Sequence, residues 1–145
     1  MQQTPHQNQL RVGRYSQANQ IYHVVTNTKN RLPIFNNHLL ARLLIQQLIT
    51  HQPQANTLAF VVMPNHLHWL LQINQRQTLS TIVKSVKAKS AQAIGKPIWQ
   101  AGFYDHAIRN DEDIVNIARY IIANPIRAGL VKKVGDYPHW DAIYL

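Results

Sequence analysis

Met63-Pro64-Asn65-His66-Leu67-His68-Trp69-Leu70-Leu71 is the stretch on which the reading of this chain turns. It reads as a β-strand, and side chains alternate across a strand with period two. His66 and His68 therefore share one face, with Leu70 beyond them. Leu67, Trp69 and Leu71 share the other, which has the character of a core face. Two imidazoles side by side on a rigid strand form a preformed half of a metal site, because neutral imidazole is a common metal ligand. An isolated His-x-His is more often a surface pair on an edge strand, so the rest of the chain has to arbitrate.

Immediately upstream, Thr57–Met63 reads as a second strand, joined to His66–Ile73 through Pro64-Asn65 as an antiparallel hairpin. Pro-Asn is not the Asn-Gly signal of a tight hairpin, which predicts a distorted turn. Further back, Ile21–Thr26 is rich in aromatic and β-branched residues and predicts a first strand; its His23 is either a residue behind the site or a surface residue. A loop from Asn27 to Pro33 carries Lys29 and Arg31. A helix follows, capped by Asn36 or Asn37. Leu39, Leu40, Leu43, Leu44 and Leu48 recur at helical spacing, and the helix ends near His51 before Pro53.

Downstream, a turn over Asn74–Thr78 leads to a helix from about Leu79 to Ile94, with Thr78 or Ser80 as cap. Lys84, Lys87 and Lys89 make its polar face cationic, either simply solvated or in contact with phosphates. Gly95-Lys96-Pro97 breaks the helix. Trp99–Ile108 reads as irregular chain entering a short strand. Asn110 or Asp111 then caps a third helix, whose core face is Ile114, Ile117 and Ile121. It carries Tyr120 and Asn124 four residues apart, which places them one turn apart on one face, and it stops at Pro125. The last segment holds Tyr137, Pro138 and Trp140. At the other end, residues 1–19 are polar, the first ten reading as a loose tail. Arg11, Arg14 and Tyr15 around Gly13 form a basic-aromatic piece that either lies along a nucleic acid strand or is a solvated arm.

The 145 residues, 46% of them apolar, suit one globular domain over 1–145. No apolar run reaches the ~18 residues of a membrane span, and the amino terminus lacks the pattern of a signal peptide. With no cysteine, disulfides and thiolate–zinc sites are excluded. The formal charge is +9, and all six carboxylate side chains lie after position 104. Such a distribution favours polyanions. It also argues against a nuclease built on clustered carboxylates holding two metals, since only the last stretch of chain could supply them.

Residues 60–71, FVVMPNHLHWLL, resemble the His-hydrophobic-His signature of single-tyrosine HUH transposases and nucleases. Residues 99–109, WQAGFYDHAIR, and 117–131, IARYIIANPIRAGLV, together with RVGRYS near the amino terminus, resemble hallmark blocks of the REP-associated tyrosine transposases, a branch of the IS200-like transposases. The resemblance covers roughly residues 11–140. It implies a ferredoxin-like α+β fold, an antiparallel sheet with helices packed on one face. It implies that His66 and His68 hold a divalent metal, Mg²⁺ or Mn²⁺, and that Tyr120 is the catalytic nucleophile. Related transposases place a Gln four residues after the tyrosine as third ligand; here Asn124, one methylene shorter, holds that place.

The activity so implied is cleavage and rejoining of single-stranded DNA at palindromic hairpins through a 5′-phosphotyrosine. The alternative is a hairpin-binding protein that keeps the fold without catalysis. Arg11 and Arg14 match the block that reads the foot of the hairpin; Tyr15, Lys84 and Lys87 are further nucleic-acid contacts. The resemblance also implies a cytoplasmic, nucleoid-associated bacterial protein, monomeric in this branch and dimeric in related insertion-sequence enzymes. Either the metal, a nearby lysine or His106 would help deprotonate the phenol.

Overall fold

Burial alternates along Ile21–Asn27 and over the first half of His66–Ile73, and so defines two faces. The computed structural model describes residues 19–74, 77–109 and 112–143. Its strands are β1 (Ile21–Asn27), β2 (Ala55–Met63), β3 (His66–Ile73), β4 (Tyr104–Ala107) and β5 (Trp140–Ala142). Its helices are α1 (His38–Thr50), α2 (Leu79–Ile94), α3 (Ile114–Ile122) and the single turn α4 (Asn124–Arg127). β1 and β3 pair antiparallel with Tyr22 opposite Leu71, Val24 opposite Trp69 and Thr26 opposite Leu67. Between them, His23 faces Leu70, Val25 faces His68 and Asn27 faces His66. One set of pairs builds the main core, and the other presents the histidines.

The five strands lie in the order β4-β1-β3-β2-β5, and every pairing is antiparallel. The first four are in the ferredoxin-like order, with α1 crossing from β1 to β2 and leaving a slot for β3. The fifth strand, on the free edge of β2, was not anticipated. Three residues are too few for periodicity to announce, and Trp140–Ala142 pairs there because Tyr137 donates its hydroxyl to the Val62 carbonyl (2.5 Å) and Val62 N–H donates to the His139 carbonyl (2.9 Å).

The expectation of helices on one face holds for α1 and α2. Leu44 and Leu48 of α1 and Leu79, Ile82, Val83 and Val86 of α2 cover Leu67, Trp69 and Leu71. The Trp69 indole N–H is satisfied by the Thr57 hydroxyl at 2.9 Å, as a buried polar group requires. By contrast, α3 lies on the opposite face, where Ala118, Ile121 and Ile122 pack on Leu58, Ala59, Val61, Met63 and Leu70. The sequence of β2 explains this. Its Leu58–Met63 run is buried throughout, so both of its faces need cover, as strands buried on both sides do.

Local chemistry sets the helix ends. Asn37 caps α1, its side chain accepting from Leu39 N–H (3.0 Å) and Leu40 N–H (3.3 Å). Thr78, not Ser80, caps α2 through Thr81 N–H, and Gly95 closes that helix in the left-handed conformation at φ 97°. α3 is capped by Asp113, which accepts from Asn116 N–H; Asn110 and Asp111 lie outside the described residues. Pro125 does not end the tyrosine helix as expected. α3 ends at Ile122, and Pro125 sits in the first turn of α4, where a missing N–H costs nothing. Among the described residues, no helix is long and apolar enough to cross a membrane.

Candidate active site

Neither Pro64 nor Asn65 has positive φ, so the β2–β3 connection is not one of the primed turns that match strand twist. It is held from outside instead. Thr28 N–H donates to the Asn65 carbonyl at 3.0 Å, and Phe35 N–H donates to the Pro64 carbonyl at 2.9 Å. The buried Thr28 hydroxyl faces the Leu32 and Asn65 carbonyls at 2.7 and 3.1 Å. The Asn65 side chain is thereby aimed along β3, and its Oδ1 lies 2.7 Å from His66 Nδ1. An amide oxygen only accepts, so His66 Nδ1 carries the hydrogen and Nε2 keeps its lone pair.

His66 and His68 share the face as expected, with ring centres 5.0 Å apart and planes at 69°. The His68 and His23 ring centres lie 5.2 Å apart with planes at 28°, and His68 Nδ1 lies 2.9 Å from His23 Nε2. Burial holds all three imidazoles neutral. His66 is pushed down to about 4 by desolvation and then by the Arg31 charge. His68 is pushed down to about 2 by desolvation, then by His23, His66 and Arg127. His23 is pushed down to about 4 by desolvation and then by His106. Neutral rings whose inner nitrogens are already engaged are the form in which histidine binds metal, so this donor set fits a divalent cation. Among the described residues no three His, Cys, Asp or Glu gather into a metal site. The third ligand expected from the sequence, Asn124, carries an amide. That residue opens α4 beyond the end of the tyrosine helix, not on it as expected.

Tyr120 projects from α3, 59% exposed. The Arg127 guanidinium lies over its ring, 3.7 Å from the centroid, a cation–π contact. The same Arg127 charge acts on His68, so phenol, guanidinium and imidazole occupy one neighbourhood. Sequence reasoning missed Arg127. Its signal was the spacing of seven from Tyr120, two helical turns, masked by the expectation that the helix stops at Pro125. A second guanidinium flanks the other histidine: Arg31, with φ 56°, donates to Asn27 Oδ1 at 3.1 Å and acts on His66. Positive φ is uncommon outside glycine.

His106 takes a different place. Its Nε2 lies 3.0 Å from Glu112 Oε2, on β4, with β1 between it and β3. The basic helix face divides. Lys84 is exposed on α2, across the sheet from the histidines. Lys87, expected to contact phosphates, is turned inward: its ammonium donates to the Gln100 and Gly102 carbonyls, each at 2.8 Å. Burial, then the neighbouring Lys84, pushes it down to about 8. It pins the chain that enters β4, because that bend leaves two carbonyls without strand partners. Arg11, Arg14 and Tyr15 lie outside the described residues.

Residues 16–124, which include both histidines and the tyrosine, match the family described as Transposase IS200 like. The chain is 38% identical over 82 residues to the REP-associated tyrosine transposase of Escherichia coli K12, covering 55% of this chain and 50% of that protein. It is 29% identical over 128 residues to a Haemophilus influenzae protein of the REP-associated tyrosine transposase type, covering 77% of this chain and 71% of that one. The match thus spans about half the length of the E. coli relative. Among solved structures, a REP-associated tyrosine transposase bound to a REP hairpin superposes with TM-score 0.72 at 28% identity, over 88% of this chain and 79% of that one. A transposase-like protein of Deinococcus radiodurans R1 shares the fold, with TM-score 0.54 at 21% identity over 75% of this chain and 93% of that one.

Proposed function

The chain belongs to the IS200-like transposase family, and from that premise we propose that it cleaves and rejoins single-stranded DNA at palindromic hairpins through a covalent bond to Tyr120. The observation that carries this is a pair of neutral imidazoles on one strand face together with an exposed phenol whose Arg127 partner also acts on His68.

In the proposed reaction the Tyr120 oxygen attacks the scissile phosphorus. A tyrosine–phosphorus bond forms and the bond from phosphorus to the 3′ oxygen breaks. The products are a 5′-phosphotyrosine and a 3′-hydroxyl, which takes up a proton as the phenol loses one. That hydroxyl, or one from another strand, then attacks the phosphotyrosine and restores the phosphodiester. The ester energy is kept in the protein–DNA bond, so no nucleotide cofactor is needed. A divalent ion held by His66 and His68, with Asn124 as third ligand, would neutralise and orient the phosphate. Imidazole suits softer ions than Mg²⁺, so Mn²⁺ supports the reaction at least as well.

The chain's own cations complete the site. Arg127 orients the phenol by lying on its ring, and Arg127 and Arg31 flank the histidines where phosphate charge would lie. Arg11 and Arg14 contact the hairpin foot, Tyr15 stacks on an unpaired base, and Lys84 contacts phosphates farther off. A chromosomal hairpin as substrate is met in the bacterial cytoplasm, and the reaction runs on a monomer or, as in related insertion-sequence enzymes, a dimer.

The test is a denaturing protein gel after incubation with labelled single-stranded hairpin DNA and Mn²⁺ or Mg²⁺. A labelled band at protein mass is expected, absent in Tyr120→Phe and absent with a chelator. Adduct formation by Tyr120→Phe would sink the tyrosine assignment. Tight hairpin binding with no adduct from the parent protein would leave a non-catalytic hairpin-binding protein.

A further inference from the structure

We propose that His23 is a positioning residue that sets the tautomer of His68 and so keeps His68 Nε2 free to bind the metal ion. The inference rests on the metal-dependent reading of the His66/His68 pair and adds a residue to it.

The two histidines are oriented by different chemistry. His66 faces the Asn65 amide oxygen, a group that only accepts, so the position of its hydrogen is decided. His68 faces another imidazole, His23 Nε2 at 2.9 Å. Between two neutral rings that bond has two forms. In one, His68 Nδ1 donates to His23 Nε2, and His68 Nε2 keeps its lone pair. In the other, His23 Nε2 donates to His68 Nδ1, and the hydrogen of His68 sits on Nε2, where it blocks a cation. Only the first form is competent.

The contact is built into the sheet. Val25 stands directly opposite His68, and His23 is two residues back along β1, the diagonal position that a ring can reach across strands. The rings lie nearly parallel, and Leu70, opposite His23, is fully buried. Outer partners of metal-binding histidines are commonly carboxylates. Here the first 104 residues contain none. An imidazole accepts the same hydrogen bond without placing a negative charge beside the site that must receive a phosphate.

Two variants and one direct measurement test this on the full chain without DNA. His23→Gln keeps an acceptor at the position of Nε2; His23→Leu removes it. Mn²⁺ affinity, measured by calorimetry or by the loss of free-ion paramagnetic resonance signal, should fall by about 10–100-fold in His23→Leu and recover in His23→Gln. Long-range proton–nitrogen NMR of the metal-free parent protein should show the His68 hydrogen on Nδ1. Unchanged Mn²⁺ affinity in His23→Leu would overturn the proposal. So would a Gln variant as weak as the Leu variant, which would reduce His23 to packing. A His68 hydrogen found on Nε2 overturns it whatever the variants do. Failure of the parent to bind Mn²⁺ at all would instead strike the metal reading on which the inference stands.

Discussion

On one face of β3, Leu67, Trp69 and Leu71 are sealed beneath α1 and α2; on the other, His66 and His68 stand beside His23 near the end of α3. Both faces belong to the same eight residues. The apolar face is satisfied by volume alone, because dispersion and the hydrophobic effect have no direction. The polar face needs a partner at each engaged nitrogen, because a buried polar group without one is costly. The first face thus supplies rigidity, and the second uses it to hold ring nitrogens within hydrogen-bonding distance of Asn65 and His23. A loop would not hold such a pair so closely.

Substitutions on the two faces should therefore fail in different ways. Trp69→Ala removes a ring that is 1% exposed and should cost about 3–5 kcal/mol of stability, read as a lower denaturant midpoint. Tyr120→Phe should leave that midpoint within ~0.5 kcal/mol while abolishing the covalent adduct. A Trp69→Ala protein of parental stability would show that the apolar face does not supply the rigidity assigned to it.

Acid should act through the histidine face. His23, His66 and His68 are held below the ordinary histidine value by burial. As pH falls through ~6.5 the unfolded chain takes up protons that the folded chain refuses, so stability is lost. The loss should begin near ~6.5, run to about 4 for His23 and His66, and continue lower for His68. Its size is on the order of 1–3 kcal/mol per histidine. Stability measured in urea that stays flat from pH 7 to 5 would contradict it. His23→Gln should remove part of the slope.

The smallest effect belongs to neither face. Lys87→Met removes the ammonium that bridges the Gln100 and Gly102 carbonyls. It should cost about 1–3 kcal/mol and speed hydrogen exchange of the chain entering β4. If hairpin affinity fell with exchange unchanged, the assignment of Lys87 to that bend would have to be reversed in favour of a phosphate contact.

Much of this was legible because it is local. Alternation separated His66 and His68 from Leu67, Trp69 and Leu71, since a strand inverts every side chain at each residue. Asn37 and Thr78 were legible as caps, since a short polar side chain there reaches the free N–H groups of the first turn. The Tyr120 position and the histidine pair came from motifs that the family match contains.

The two-faced strand, its flanking helices and the chemical types brought to the site all follow from the order of residues along the chain. Their partners were set by the folded arrangement. Pairing of β1 with β3 joins residues 45 apart and turns His23 from an unremarkable strand residue into the neighbour of His68. The restart of the helix at Pro125 brings Arg127 over Tyr120. The bend before β4 draws Lys87 inward. Periodicity and capping are properties of a few consecutive residues, whereas these contacts depend on strand register and on which carbonyls the completed fold leaves unpaired.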